Sequence, residues 1–456
     1  MYTRITLALV VCLVLAGCTA PLTDGSPFDG GFDGFGQTDG EDRLGWENGY
    51  AADDPLSIDQ SDGLNESERE AFVARTMARV ELVRQLEFEE PVPVEVITRQ
   101  EYQQQRGGGG GDPEYQAWNN QVWESLLLVG EDRNISDVMD SVYGGSVLGY
   151  YSPSEDRIVI VSDSETPVID RTTLAHELVH ALQDQQFGLT GGAATQDGQL
   201  ARNGIVEGDA RYTETLYEQR CATEWDCVPR PESGGGSSSN NGAPGVFLTI
   251  YTPYADGPQF VHTLYEEGGW EAVNAVYEAK PESTEQIIHP EKYPDERPAN
   301  VTVEDRSTQE WSRFDTRPVA DTVGEASLYA MLWQNGYISQ ENLRNSPDEY
   351  SPYNYSHPAT AGWAGDAVVP YESDDGEYGY VFESEWDTER DAREFADAYR
   401  TTLLMQLGAE EVGDGVYRVP DDSSFGDAFR VTQDGTTVTV VNAPTTEQLD
   451  DVHSAE

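Results

Sequence analysis

Two histidines stand four residues apart in residues 173–187, TLAHELVHALQDQQF. In an α-helix this spacing places His176 and His180 on one face, one turn apart, so that both imidazoles can reach a single metal ion. Glu177 lies between them and can reach a water molecule beside that metal. Because the chain has 6 histidines among 456 residues, a chance HExxH pattern is expected only about once in a hundred such chains. The pattern therefore predicts a zinc site.

A catalytic zinc site needs a third protein ligand, and the residues that follow His180, ALQDQQ, contain no histidine. We expect a carboxylate on the next predicted helix, residues 200–218, where Glu207 stands between Gly204 and Gly208. Two glycines one turn apart let another backbone come close, so this helix is expected to press against the HExxH helix at Glu207. The competing carboxylates on the same helix are Asp209, Glu214 and Glu218.

The HExxH helix is predicted to be buried, because leucine, valine and alanine fill all of its surface except one narrow polar stripe. That stripe carries both histidines and Glu177. Asp170 is the expected N-cap of the helix. Asp184, one turn after His180, is a candidate for a hydrogen bond that orients a ligand histidine, and the alternative is a simple solvated side chain.

The elements that must position this helix predict an α+β fold. Residues 65–165 contain a helix at 66–86, a strand at 91–98 and a strand pair at 147–151 and 157–161. Residues 166–345 are expected to hold the HExxH helix and a helical lobe. Residues 365–445 follow a strand, helix, three-strand order, which is typical of a small α+β domain.

The composition is strongly acidic, with 84 Asp and Glu against 27 Lys and Arg and a net charge of −57. This balance excludes nucleic acid as a partner, because no basic surface is available to meet phosphates. It also argues against binding to an anionic membrane face. An acid-rich, lysine-poor chain resembles proteins of extreme halophiles, in which molar salt screens the charges from one another.

The N-terminus, MYTRITLALVVCLVLAGC, predicts a lipoprotein signal peptide over residues 1–18, with Cys18 as the lipidated residue. The alternative is an uncleaved transmembrane anchor, for which the apolar run at 5–17 is short. Residues 19–64, rich in Gly, Asp, Ser and Pro, predict a flexible acidic tether. The protein is therefore expected at the extracellular face of the cell membrane, held there by its lipid.

Two further cysteines, Cys221 and Cys227, occur in the segment CATEWDC. In an exported protein, two cysteines this close in sequence predict a local disulfide, and free thiols are the alternative.

Several longer stretches resemble one family, the exported HExxH proteins that include haloarchaeal surface lipoproteins and are similar to the gluzincin branch of zinc peptidases. The matching stretches are GYYSPSEDRIVIV, TLAHELVHALQDQQF, VEGDA, STEQIIHPEKY and GWAGD…WDTERDAREFADAY. The resemblance implies a zincin-like metallopeptidase core made of a small sheet, the HExxH helix and a helical lobe. It also implies that His176, His180 and Glu207 bind zinc and that Glu177 is the catalytic base. One departure is Arg211, at a position where gluzincins often carry an acidic residue that holds a ligand histidine.

Two functions remain open from the sequence. The first is a surface zinc peptidase acting on proteins or peptides, in which zinc activates a water molecule and Glu177 takes its proton. The second is a binding or structural lipoprotein that retains the fold without turnover. A peptidase also needs a donor for the developing oxyanion. The candidates are Tyr212, Tyr217, His262 and His289.

Overall fold

The computed structural model describes residues 43–106, 112–143, 147–164, 166–231 and 242–455. The predicted signal peptide at 1–18, Cys18 and residues 19–42 of the predicted tether lie outside these ranges. The described chain is a mixed α and β structure with three sheets.

The helices and strands alternate along the chain without a simple repeat. The helices are α1 (Glu66–Arg84), α2 (Arg99–Arg106), α3 (Pro113–Ser125), α4 (Ile135–Tyr143), α5 (Arg171–Phe187), α6 (Gln196–Thr223), α7 (Pro244–Ala255), α8 (Gly257–Val276), α9 (Thr284–Ile288), α10 (Gly324–Gln334), α11 (Gln340–Arg344), α12 (Glu389–Met405) and α13 (Leu449–Val452). The strands are β1 (Trp46–Glu47), β2 (Tyr50–Ala51), β3 (Val94–Ile97), β4 (Gly149–Ser152), β5 (Arg157–Val161), β6 (Trp311–Arg313), β7 (Trp363–Ser373), β8 (Tyr378–Trp386), β9 (Glu410–Gly413), β10 (Val416–Arg418), β11 (Ala428–Asp434) and β12 (Thr437–Ala443).

A small sheet and three helices enclose the HExxH helix α5. The strand order is β3-β5-β4, with β3 parallel and β4 antiparallel to β5. The inner face of β5 packs with α1, α5, α6 and α8 in one apolar core, to which Ile158, Leu174 and Leu178 belong. All three of these side chains are fully buried. The leucines of α5 therefore face the core, as the sequence predicts. The polar stripe is the part of the α5 surface that apolar residues do not cover.

Close backbone approach occurs between α6 and α8, not between α6 and α5. A Cβ added to Gly208 would lie 2.4 Å from the Gly257 carbonyl, and one added to Gly204 would lie 2.7 Å from the Ile287 side chain. The expectation that these glycines press α6 against the HExxH helix was therefore wrong. Glycine at 208 serves the contact with the start of α8. Glu207 lies about 100° away around α6 and points to α5.

Residues 43–64 are packed against α1, so the prediction of a tether extending to residue 64 was wrong for this part. The Glu81 carboxylate accepts a hydrogen bond from Gly45 N at 2.7 Å, and Arg79 Nε donates to Ala52 O at 2.8 Å. Leu64 is fully buried. The segment is held by hydrogen bonds to buried charged side chains of α1 and by Ile58 and Leu64, which belong to the apolar core around α5.

The second large element is a seven-stranded antiparallel sheet of order β6-β7-β8-β12-β11-β10-β9. One face packs with α3, α10 and α12, and the other with α13. Because β6 pairs with β7, the sheet includes residues that precede the predicted domain at 365–445. Gly365 and Pro370 obscured β7 in the sequence. The pairing of β6 with β7 ends at Tyr371, the residue after Pro370 in the chain. Strand β6 therefore needs no hydrogen bond from the N–H that Pro370 lacks.

Three buried aspartates join the helical part to the large sheet. Asp321 accepts from Gln196 N at the start of α6, and Asp197 accepts from Thr284 N at the start of α9. Asp366 on β7 accepts from Gly324 N at the start of α10. Gly324 has φ +76°, and a Cβ there would lie 1.8 Å from the Asp197 carboxylate. Glycine is therefore required at position 324, which lies against Asp197 and donates to Asp366.

Burial raises the pKa of Asp197 and of Asp321 to about 7, and that of Asp366 to about 6. Since an unfolded aspartate has a pKa of about 3.9, the folded chain holds these protons more tightly. Their contribution to stability is complete below about pH 4, where the unfolded chain is protonated as well, and is lost as pH rises from there to about 7. We predict that the melting temperature of the chelator-treated protein in molar salt falls between about pH 4 and pH 7.

The matched variant is Asp321→Asn. Both hydrogen bonds to Asp321, from Gln196 N at 2.8 Å and Thr322 N at 2.9 Å, end on Oδ1. The amide can therefore keep both acceptor contacts while removing one titrating group. Thermal melts should show a smaller loss of stability with rising pH in this variant. A stability that rises over this range in the wild-type chain would contradict the assignment.

Candidate metal centre

The sequence of α5 determines where the helix starts and which residues it buries. Asp170 caps the helix, accepting hydrogen bonds from Thr172 N at 2.9 Å and Thr173 N at 3.4 Å. His176 is 5% exposed, and Glu177 and His180 are fully buried. The polar stripe is thus enclosed by protein, and its side chains must find partners on neighbouring elements.

The stripe meets Glu207 of α6. Glu207 Oε2 lies 3.3 Å from His176 Nε2 and 3.3 Å from His180 Nε2. We call these three side chains the metal set, since their ligand atoms all lie within 4.8 Å of one another. Ligand atoms about 2.1 Å from a tetrahedral zinc ion lie about 3.4 Å apart. The two 3.3 Å separations and the pair of imidazoles with one carboxylate are compatible with a tetrahedral metal ion such as zinc.

His176 is oriented by a carboxylate on its other ring nitrogen. Glu214 Oε2 lies 3.3 Å from His176 Nδ1, two turns after Glu207 on α6. Arg211 Nη1 donates to both oxygens of Glu214 at 2.8 Å. Arg211, which stands where gluzincins often carry an acidic residue, thus fixes the Glu214 carboxylate. That carboxylate in turn orients His176. Glu214 supplies this orienting carboxylate one turn later than expected.

His180 is oriented by an amide. Gln183 Oε1 accepts from His180 Nδ1 at 2.8 Å, while Gln183 Nε2 donates to Val206 O at 2.9 Å and Asp209 Oδ2 at 3.3 Å. Because the amide nitrogen has two acceptors, its oxygen must face the histidine, which places the imidazole proton on Nδ1. His180 Nε2 is then the atom presented to a metal ion.

Glu177 has a different hydrogen-bond partner from the groups that orient the two histidines. Its Oε2 accepts a hydrogen bond from Tyr151 N on β4 at 2.9 Å. The prediction that Asp184 orients a ligand histidine was wrong. Asp184 instead accepts from Tyr151 Oη at 2.9 Å and from Leu189 N at 2.7 Å, and so fixes β4 and the end of α5.

The charges in the metal set are complementary without an ion. Burial lowers the pKa of His176, but hydrogen bonds to Glu207 and Glu214 outweigh it and raise that pKa to about 10. Burial raises the pKa of Glu207, but the two histidines outweigh it and lower that pKa to about 2. A protonated imidazole between two carboxylates occupies the place of a cation, and a metal must displace its Nε2 proton.

A tyrosine outside the predicted site residues touches the metal set. Tyr254 Oη donates to Glu207 Oε1 at 2.9 Å from the end of α7. The predicted oxyanion donors lie elsewhere: Tyr212 Oη pairs with His262 Nδ1 at 3.2 Å, and His289 Nε2 lies 3.2 Å from Glu325. Tyr212 lies about 140° from Glu207 around α6, so its side chain points in a different direction from that of Glu207. The sequence around Pro253 and Tyr254 has no periodic pattern that would predict this contact with Glu207.

The remaining candidates have other partners. Asp209 pairs with Arg84 at 2.8 Å and Glu218 pairs with Arg171 at 2.7 Å, so neither competes with Glu207. Tyr217 packs against Trp225. Cys221 and Cys227 form a disulfide at the end of α6.

Comparison with known proteins identifies a family match for part of the chain. Residues 312–453 match the family model of a domain of unknown function, DUF8575. This range covers most of the large sheet and excludes the metal set. No curated protein and no solved structure matches the chain. Among the described residues, no helix combines the length and apolar character needed to cross a lipid bilayer.

We predict that Glu214→Gln lowers zinc affinity about 10- to 100-fold, because a ligand histidine loses the carboxylate that orients it. Titration of zinc against a competing chelator, in molar salt, measures this change. The control is Glu218→Gln, one turn later on α6, which removes a carboxylate from the pair with Arg171 but does not touch His176. Equal affinities of the two variants would refute the orienting role of Glu214.

Proposed function

We propose that this protein is a zinc-dependent peptidase. The observation that carries the proposal is the convergence of His176, His180 and Glu207 within 3.3 Å contacts, with Glu177 on the same stripe of α5. A purely structural metal site would not need Glu177, which is not a ligand. A zinc ion bound here would supply a Lewis acid for a peptide carbonyl and would acidify a water molecule.

The chain's own residues divide the remaining work. Glu177 takes the proton of the attacking water on its carboxylate and transfers it to the leaving amine. Tyr151 N, which donates to Glu177 Oε2, fixes the direction of that carboxylate. Tyr254 Oη donates to Glu207 Oε1 and so orients the ligand carboxylate through the oxygen that does not face the histidines.

The proposal includes the family assignment and the location expected from the sequence. The small sheet, α5 and α6 would form a zincin-like core of the gluzincin type. Cys18 would carry a lipid that holds the protein at the extracellular face of the cell membrane. The substrate would be a protein or peptide outside the cell, and nucleic acid is excluded by the net charge of −57.

Zinc content tests the ligand assignment. The full chain purified in molar salt should contain about one zinc ion, and Glu207→Ala should lose it, because two imidazoles alone leave the site without its carboxylate. Circular dichroism confirms folding of the variant. Zinc retained in Glu207→Ala would move the third ligand to another side chain, and absence of zinc from both proteins would remove the metal site from the proposal.

Peptide cleavage tests the catalytic assignment. A library of quenched fluorescent peptides, assayed in molar salt with zinc, should be cleaved by the wild-type chain. Glu177→Gln should lower kcat about 100- to 10,000-fold with zinc content unchanged, since a positioned general base contributes that much. Glu218→Gln is the control: it removes a carboxylate of α6 that pairs with Arg171 and touches neither Glu177 nor the metal set, so it should keep its activity. If the wild-type protein binds zinc but cleaves nothing, it is a non-catalytic surface protein with this fold.

A further inference from the structure

The motif Asn-x-Ser/Thr occurs four times in the chain, and we call these four motifs the sequons. They begin at Asn65, Asn134, Asn300 and Asn354. In an exported protein this motif is the acceptor of N-linked glycans. Because the motif specifies both an asparagine and a hydroxyl two residues later, the transferring enzyme must reach both side chains together. A sequon of a folded chain is therefore usable where these two groups project from the same exposed side.

The sequon at Asn300 lies in an irregular surface segment, residues 296–308, which belongs to no helix or strand. Exposed and buried residues alternate along it. Asn300 and Thr302 are exposed, whereas Val301 and Val303 pack against an apolar core of the large sheet. Since successive side chains of an extended chain point to opposite sides, Asn300 and Thr302 project together from the exposed side.

Backbone hydrogen bonds hold the Asn300 sequon in this orientation. Ala299 N donates to Ala364 O of β7 at 2.6 Å, and Val303 O accepts from an arginine of β6 at 2.8 Å. Between these two anchors, Val301 N donates to Ala299 O at 3.1 Å and closes a three-residue turn centred on Asn300. The sequon is thus fixed on both sides, with Asn300 at the apex of the turn.

The two groups that the enzyme must bind have no competing partner. Within the part of the chain that the structure describes, neither the Asn300 carboxamide nor the Thr302 hydroxyl makes a hydrogen bond to the protein. An enzyme can therefore bind both groups without breaking a hydrogen bond of the fold.

Two of the other sequons are built into helix starts. Asn65 caps α1, its Oδ1 accepts from Glu68 N at 3.1 Å, and Ser67 lies inside the helix. Residues two apart on a helix point about 200° apart, so Asn65 and Ser67 do not share a side. Asn134 stands in the same way before α4, where its Oδ1 accepts from Ser136 N at 2.8 Å.

The fourth sequon has a buried middle residue. Tyr355 is 1% exposed and donates to Leu248 O at 2.7 Å. Asn354 Oδ1 accepts from Ser356 N at 2.9 Å. An enzyme engages this sequon only if a tyrosine leaves the core. Among the described residues, the fold thus presents a carboxamide and a hydroxyl together at Asn300 alone of the four sequons.

We propose that Asn300 carries an N-linked oligosaccharide. The donor is an oligosaccharide activated on a lipid phosphate. Asn300 Nδ2 forms a bond to the anomeric carbon and loses one proton, while the bond from that carbon to the phosphate oxygen breaks and the lipid phosphate leaves with the bonding electrons. The modification rests on the export predicted from residues 1–18 and is independent of the peptidase proposal.

Transfer to the folded chain tests the site. The full chain, made in cells without N-glycosylation, is incubated in its native fold with a single-subunit oligosaccharyltransferase and a lipid-linked oligosaccharide. Mass spectrometry of its peptides should find the glycan on Asn300, whereas a digest of the same protein should be modified at several sequons. Thr302→Ala should abolish the transfer to Asn300. The matched control Thr302→Ser keeps the hydroxyl and should retain the transfer.

Folding of the two variants is checked by their melting temperatures, which should equal that of the wild-type chain because Thr302 is exposed. Transfer to Asn65 or Asn354 of the folded chain at the level seen for Asn300 overturns the proposal, and so does transfer that survives in Thr302→Ala.

The protein from the membranes of the cells that make it gives the second test. The peptide that contains Asn300 should carry a glycan, and Asn300→Gln should lose the glycan while its zinc content stays that of the wild-type chain. An exported chain with unmodified Asn300 overturns the proposal. A chain found only in the cytoplasm overturns the export on which the proposal rests. Failure of the peptidase proposal is seen separately, in zinc content and peptide cleavage, since Asn300 does not belong to the metal set.

Discussion

The buried ion pair between Arg84 and Asp209 holds together the helices that form the candidate metal centre. The two groups are 2.8 Å apart and almost completely buried, so their loss of hydration must be offset by further hydrogen bonds. Asp209 accepts from Tyr277 Oη at 2.7 Å and from Gln183 Nε2, while Arg84 donates to an asparagine of α8 and lies over the Trp270 ring. The pair thus connects α1, α6 and α8, and through Gln183 it reaches His180 on α5. The orientation of the His180 imidazole therefore depends on an arginine nearly one hundred residues earlier in the chain.

An acidic chain must also neutralise the carboxylates that it buries, and this protein does so in different ways at different places. Arginine neutralises Asp209, and Lys292 gathers a group of three acidic side chains. Asp366 instead accepts backbone N–H groups, and burial favours its protonated form. Glu207 is matched by two histidines, and in this pairing a metal ion can take over the positive charge. The chemistry of the metal set is therefore one solution to a constraint that acts throughout the fold.

The proposed site residues and the large sheet that helps to position them lie in two different structural parts of the chain. The metal set, Glu177 and the groups that orient them lie on α5, α6 and the small sheet. The family model of unknown function covers residues 312–453 and contains none of them. Asp321, which pairs with Val368 of β7, accepts from Gln196 N at the start of α6, and Asp366 on β7 accepts from Val323 N before α10. The large sheet thereby fixes the beginning of α6, three turns before Glu207, and contributes to the position of Glu207, which it does not touch.

The sequence by itself determined the features that depend on neighbours along the chain. Helix periodicity placed His176, Glu177 and His180 on one stripe and Asp170 at the helix start, because a turn of helix spans only four residues. It also selected Glu207 from the glycine pattern, although for the wrong packing partner. Only the tertiary structure decided which element meets each face: α8 at Gly208, Glu214 and Gln183 behind the histidines, and Tyr254 beside Glu207. Residues 43–64 and β7 were likewise ordered by distant partners. A pattern of apolar and polar residues records that a face is buried, whereas the identity of the surface that buries it is set by contacts between residues far apart in the sequence.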